Sequence, residues 1–207
     1  MRRDINQTVQ RSRRYWYDDG LTEIAIGVIL LAVGVLFLTE AFRLIPPGVS
    51  AIALPVIVIG GLWLAGLAVR AAKDRITYPR TGYVRYPRQT RRPRRLVLAV
   101  LVAAATAAVV AMVALLAPAS LAWLPTLDGV LVGAGFLYMA CSVGLVRFYI
   151  LAFLSVVAGL TTSLSGLGDS MGSGVYFAAT GAAVIVSGVV ALTVYLRNTQ
   201  PPEGDLV

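Results

Sequence analysis

Residues 49–95 read VSAIALPVIVIGGLWLAGLAVRAAKDRITYPRTGYVRYPRQTRRPRR, and the change of character at Arg70 decides the fold. Between Val49 and Val69 no side chain carries a charge, and the run is apolar on all sides. A soluble helix keeps one polar face, so such a run suits hydrocarbon, whose core of roughly 30 Å takes about 20 helical residues to cross. From Arg70 to Arg95 follow nine arginines and Lys73. Dense positive charge directly after an apolar run marks the end of a span that stays in the cytoplasm.

Working outward, apolar runs recur at 21–45, 49–69, 96–116, 129–146, 148–167 and 175–196. The expected fold is therefore all-α, an integral membrane bundle of six transmembrane helices. The first run is the least clean, since Glu23 and Glu40 fall near its two interfaces. Threading the six spans with the N-terminus inside puts all of the 18 Lys and Arg residues except Arg43 on one face. Such a bias sets orientation, so both termini are expected in the cytoplasm. Composition agrees: 58% of residues are hydrophobic and 14% charged, against about 25% charged in soluble domains. The net charge of +8 is then read as orientation rather than as a nucleic-acid footprint, and nucleic acid is a disfavoured partner.

Five segments follow from this threading. Residues 1–20 form a basic and aromatic cytoplasmic stretch, 21–72 a transmembrane hairpin, and 73–95 a cytoplasmic Arg/Tyr/Pro loop. Residues 96–197 carry helices three to six, and 198–207, with Pro201-Pro202, form a tail expected to be disordered. No cleavable signal precedes the first span, which is expected to remain as an anchor. Between the fourth and fifth spans only Arg147 intervenes, which requires a tight turn on the basic side.

The chain has no histidine and a single cysteine, Cys141. An internal disulfide is excluded, and zinc, haem and iron–sulfur sites lack their usual ligands. No cofactor, metal or catalytic residue is expected, because no nucleophile has a base beside it and no carboxylate lies at mid-span. Three acids lie toward the outer face. Glu40 is three residues before Arg43, within helical pairing reach. Asp128 stands just before the fourth span and Asp169 lies in the Gly/Ser-rich stretch 161–174. That stretch reads as an external turn, with a re-entrant loop as the alternative.

The most distinctive text is the loop. Tyr78-Pro79-Arg80 recurs as Tyr86-Pro87-Arg88, and Gly82 supplies a bend before Tyr83 and Arg85. Prolines disfavour a continuous helix there. Tyr78, Arg80, Gly82, Tyr83, Arg85, Tyr86 and Arg88 are the candidate contacts for anionic lipid headgroups or a protein partner, each basic residue near such a surface contributing about 1 kcal/mol. The rings and guanidinium groups also suit cation–π stacking.

The stretch Tyr15-Trp16-Tyr17-Asp18-Asp19-Gly20-Leu21-Thr22-Glu23 opens the first span. Aromatic anchors and acids near a helix N-terminus explain it structurally, with Gly20 as N-cap and Glu23 reaching back. The alternative is that Asp18, Asp19 and Glu23 pair with arginines of residues 70–95 and fold that loop onto the bundle. Gly27, Gly34, Gly129, Gly133, Gly181 and Gly188 are expected at helix–helix contacts, where small residues let backbones meet. The same contacts also suit a homo-oligomer or a membrane protein partner. Pro55 and Gly60-Gly61 invite a kink in the second span.

Tyr17 to Glu23, an aromatic-Asp-Gly-Leu-x-Glu opening, together with Tyr78 to Val84, a Tyr-Pro-Arg-x-Gly-Tyr-Val loop, resembles a group of small, uncharacterised bacterial polytopic membrane proteins. The resemblance implies a multi-pass protein of the bacterial cytoplasmic (inner) membrane with its N-terminus inside. It supplies no catalytic residue. The expected function is non-enzymatic: a scaffold or accessory subunit whose basic loop contacts anionic lipid on the cytoplasmic side or a cytoplasmic partner. The alternative is a small oligomeric transporter or channel for an anionic or apolar solute.

Overall fold

The computed structural model describes residues 17–77 and 122–199. Every element among them is helical: α1 Leu21–Ala41, α2 Pro47–Ala72, α3 Leu124–Val143, α4 Val146–Leu164 and α5 Asp169–Asn198, with a π-helical turn, Lys73–Thr77, closing α2. All five α-helices are long and apolar enough to cross a membrane. The expected third span, 96–116, and the tail beyond residue 199 lie outside the described residues.

Helix ends follow local chemistry. α1 stops at Ala41, short of the expected 45, because Arg43 turns into left-handed backbone (φ 58°) and Pro46-Pro47 cannot continue the ladder. Pro47 then occupies the first turn of α2, where a missing N–H costs nothing. α3 begins at Leu124, earlier than the expected 129, so Asp128 lies inside its second turn rather than before the helix. It ends at Gly144 (φ 76°), and an extended Leu145 starts α4 at once. Arg147 is therefore not in the turn but in the first turn of α4. The stretch 161–174 is mostly helical, as the end of α4 and the start of α5. Only residues 165–168 form a turn, with positive φ at Gly166 and Gly168.

Two antiparallel seams hold the bundle. The most extensive joins α1 to α5. Small residues face one another along it: Gly20, Gly27 and Gly34, a heptad apart, meet Gly188, Gly181 and Ala178, and Gly174, a heptad before Gly181, meets Leu38. A Cβ added at Gly27 would lie 2.8 Å from the Gly181 carbonyl oxygen, and one at Gly181 would lie 2.6 Å from the Leu31 nitrogen. A heptad spacing keeps a seam in register only when helices cross at a shallow left-handed angle. The second seam joins α3 to α4. There a Cβ at Gly129 would meet the Ser155 carbonyl at 2.8 Å, and one at Gly159 the Pro125 carbonyl at 2.4 Å. Backbone thus packs on backbone, the means by which helices associate in lipid.

Between the seams sits an apolar core of Phe136, Ala140, Val143, Leu145, Phe148, Leu151, Ala152 and Val184. Outward faces remain apolar, with Ile52, Val56, Ile59, Trp63, Phe153 and Val186 all more than half exposed. Among the described residues α2 packs only on α1 and its own π turn. Such a surface suits acyl chains and not water.

The α1–α5 seam generates a stability expectation. Gly181→Val should separate α1 from α5 and cost about 1–3 kcal/mol, the usual range for overpacking. Gly135→Ala, where nothing lies within 4 Å, should stay within about 0.5 kcal/mol of the parent. Denaturant unfolding in mixed micelles reads both.

Candidate functional site

At one end of the bundle four segments converge on two ion pairs. The chain enters through Tyr17–Gly20, where the Gly20 N–H donates to the Tyr17 carbonyl at 3.2 Å. Gly20 adopts left-handed backbone (φ 68°) and lies against Gly188 so closely that a Cβ would sit 2.3 Å from the Gly188 oxygen. Only glycine meets both demands. That contact presses the start of α1 onto α5 and carries Asp19 and Glu23 into the interior, each 1% exposed or less.

Asp19 accepts a hydrogen bond from the Leu21 N–H at 3.3 Å and pairs with Lys73 Nζ at 2.8 Å. Both side chains of this pair are almost fully buried. Lys73 is the first residue of the π turn, the irregular winding that ends α2. Asp18 stands near enough to act on the same ammonium. Glu23 meets Arg147 Nε at 2.7 Å, a contact in which charge attraction counts for more than N–H alignment. Its other oxygen accepts from Ser187 Oγ at 2.9 Å. Arg147 also donates from its terminal nitrogen to the Tyr17 carbonyl and lies over the Phe148 ring at 5.5 Å. Tyr17 closes the set edge-on to Phe148 at 6.0 Å. Two carboxylates and two cations thus neutralise one another where water is scarce.

The sequence-derived expectations meet this geometry unevenly. Glu23 does not reach back to cap α1, because Arg147 and Ser187 engage its carboxylate; Gly20 is the N-cap but carries no side-chain bond. Among the described residues, Asp19 takes Lys73 and Glu23 takes Arg147 on α4, while the arginines from 80 to 95 lie outside the described residues. Of the arginines in that stretch, the described ones, Arg70 and Arg75, are exposed. Tyr78, Arg80, Gly82, Tyr83, Arg85, Tyr86 and Arg88 lie outside the described residues, as does the aromatic pair Tyr15-Trp16. Gly27, Gly34, Gly129, Gly133, Gly181 and Gly188 all lie at close helix contacts. Pro55 and Gly60 lie within the continuous helix α2, and around Gly60 nothing comes within 4 Å.

The opposite end holds a polar set around two of the outer-face acids, Glu40 and Asp128, whose serine, threonine and tyrosine partners the sequence did not single out. Ser155 Oγ bonds to the Gly129 carbonyl at 3.0 Å and lies 2.8 Å from the Tyr176 hydroxyl. Asp128 accepts from Ser173 Oγ at 2.9 Å, and Tyr176 donates to the Asp128 carbonyl at 3.3 Å. Thr126 and Ser163 join α3 to α4 through hydroxyls 2.8 Å apart, and Ser163 also accepts the Thr126 N–H. Glu40 accepts from Ser170 at 3.3 Å. These bonds mainly tie helix to helix. Among the described residues no three His, Cys, Asp or Glu side chains converge as a metal site.

Comparison with family models, curated proteins and solved structures finds no match for the chain.

A double-variant cycle tests the Asp19–Lys73 pair. Asp19→Leu and Lys73→Met alone each strand a buried charge and should each cost about 3 kcal/mol. The double variant should recover most of that loss, because no charge is left unpaired. Additive losses in reversible unfolding would mean that the two groups do not pair.

Proposed function

We propose that this chain is a non-enzymatic, multi-pass membrane scaffold or accessory subunit that presents its basic loop to anionic lipid headgroups or to a cytoplasmic partner. The observation that carries the reading is the buried Asp19–Lys73 pair. Lys73 begins the π turn that immediately precedes residues 78–95 in the chain, so the pair fixes the residues leading into the loop against the start of α1. A basic segment held at one place on the membrane face is a docking element rather than a tether of arbitrary reach. Tyr78, Arg80, Gly82, Tyr83, Arg85, Tyr86 and Arg88 make the contacts in this reading.

The full topology belongs to the same proposal: six spans, both termini cytoplasmic, in a bacterial inner membrane, as in the group that shares the two motifs. What supports a sixth crossing is the placement of the described ends. Lys73 lies at the ion-paired end, whereas Thr126 lies at the other, beside Ser163. Joining these two ends is what a further span would do, and 96–116 is the long uncharged run in the intervening sequence. Asp18 and Asn198 border one cleft, which supports termini on a shared side. The described cations other than Arg43, namely Arg70, Lys73, Arg75, Arg147 and Arg197, belong to that end too, as cytoplasmic retention of charge requires.

The polar set around Asp128 and Tyr176 favours a second reading, a small oligomeric transporter or channel for an anionic or apolar solute. Against a route through one protomer stands the buried apolar cluster that includes Phe136, Ala140, Leu151 and Val184.

Tethering tests the preferred reading. The chain reconstituted in phosphatidylcholine liposomes should capture vesicles containing phosphatidylglycerol. Arg80→Ala, Tyr83→Ala and Arg85→Ala together should weaken capture roughly 30-fold, the loss of two basic contacts at about 1 kcal/mol each. Salt at about 0.5 M should also weaken it. If neither variant nor salt alters capture, the loop is not the lipid contact. If capture is absent while a second polypeptide co-purifies and is lost in the variant, the occupant is a protein partner.

A further inference from the structure

At the end of the bundle away from the ion pairs, an open cleft of ≈ 670 Å³ lies between the α1–α2 turn and the α4–α5 turn. Glu40, Arg43, Ile45, Leu167, Ser170 and Met171 are among the residues that line it. Its depth follows from the α1–α5 seam, where Leu31, the midpoint of α1, meets Gly181 on α5. At about 1.5 Å per residue, Glu40 lies about 14 Å, Met171 about 15 Å and Ser170 about 17 Å from that level. Arg43, Ile45 and Leu167 belong to the turns beyond the helix ends. The edge of the hydrocarbon core is roughly 15 Å from the midplane, so the cleft opens to water. None of its apolar walls is deeper than Glu40, and an acyl chain anchored there would have to leave them to enter the membrane.

Two opposite charges line this cleft without neutralising one another. Glu40 is within helical pairing reach of Arg43 in the sequence, but α1 ends at Ala41 and no ion pair forms between them. Glu40 instead accepts one hydrogen bond on Oε1, from the neutral Ser170 hydroxyl at 3.3 Å. Arg43 is exposed and, among the described residues, has no acid within ion-pair reach. Its backbone is left-handed (φ 58°), a conformation that glycine or asparagine takes at lower cost. The turn alone would be better made without an arginine. Arg43 is also the single basic residue that the six-span threading puts on the outer face. Exposed Leu167 and partly buried Ile45 and Met171 add apolar wall. A lone anion would meet Glu40 as well as Arg43, and a lone cation would meet the reverse. A molecule carrying an ammonium and a carboxylate side by side satisfies both.

We propose that this cleft binds a small water-soluble zwitterion, a free α-amino acid with an apolar side chain. Its carboxylate sits on Arg43, its ammonium on Glu40, and its side chain against Leu167 and Met171. Glu40 keeps its bond from Ser170, because a carboxylate accepts several hydrogen bonds at once. The site uses neither the basic loop nor the buried ion pairs, so it stands or falls independently of the scaffold reading.

The test is saturation-transfer NMR of the full chain in lipid nanodiscs, with leucine as the probe. Isocaproate and isoamylamine, which lack its ammonium and its carboxylate respectively, serve as analogues. Leucine should bind saturably, and each analogue about two- to fivefold more weakly, the worth of one exposed ion pair. Arg43→Gly should weaken leucine by the same factor while its unfolding midpoint stays near the parent's, since glycine fits the left-handed turn. Glu40→Gln should remove the preference for leucine over isocaproate. Arg197→Gln, at the other end of the bundle, should change nothing. No saturable leucine binding, equal binding of either analogue, or binding indifferent to Arg43→Gly would overturn the proposal.

Discussion

Desolvation of two carboxylates at the start of α1 is the constraint on which the other contacts depend. Taking an ion out of water costs several kcal/mol even after relaxation, and Asp19 and Glu23 are both interior. Each therefore requires a cation brought to it from elsewhere in the chain. Lys73 brings the end of α2, Arg147 brings the start of α4, and Ser187 adds a hydroxyl from α5. Four segments far apart in sequence are thereby fixed at one face, and the ends left over define which way every helix runs.

Charge pairing alone would not place these groups, because side chains of such length reach many geometries. The glycine seam supplies the distance. Gly20 against Gly188 and Gly27 against Gly181 bring α1 and α5 to backbone contact, which places Ser187 within reach of Glu23. Small residues and buried ions thus act together. The seam sets separation along the helices, and the ion pairs set register at one end. Among the described residues the opposite end is tied by hydroxyl bonds instead, and Asp128 there is held by Ser173. This asymmetry concentrates the structural charge where the start of α1 meets the end of α2 and the start of α4.

How much was legible in the sequence depended on the range of the interaction. Helical class, the five described helices long enough to span and small-residue contacts were readable because an apolar run or a GxxxG spacing is local. Boundaries slipped where a turn overrode hydropathy, as at Arg43, or where apolarity hid a helix start, as at Leu124. Gly20 read as a cap, although its closest contact is with a residue 168 positions later in the chain. Lys73 was one more positive charge in a basic stretch, and Arg147 looked like a turn residue between two spans. Nothing local in the sequence names Ser187 as a partner of Glu23, or Ser155 as a partner of Tyr176. A lone serine in a span is unremarkable until folding brings a carboxylate or phenol against it. The signal that was present was the excess of acids, Asp18, Asp19 and Glu23, on an otherwise basic face; it pointed to pairing but not to the partners.

The Glu23–Arg147 contact is the most direct place to test this account. Dipolar recoupling in bilayers, between the carboxyl carbon of Glu23 and the guanidinium nitrogens of Arg147, reads the separation without altering either charge. With Nε 2.7 Å from the carboxylate oxygen, the account predicts strong coupling from a carbon–nitrogen distance of about 4 Å or less. An absence of coupling, with the helices intact, would contradict it, for the start of α1 would then be neutralised by something other than the start of α4.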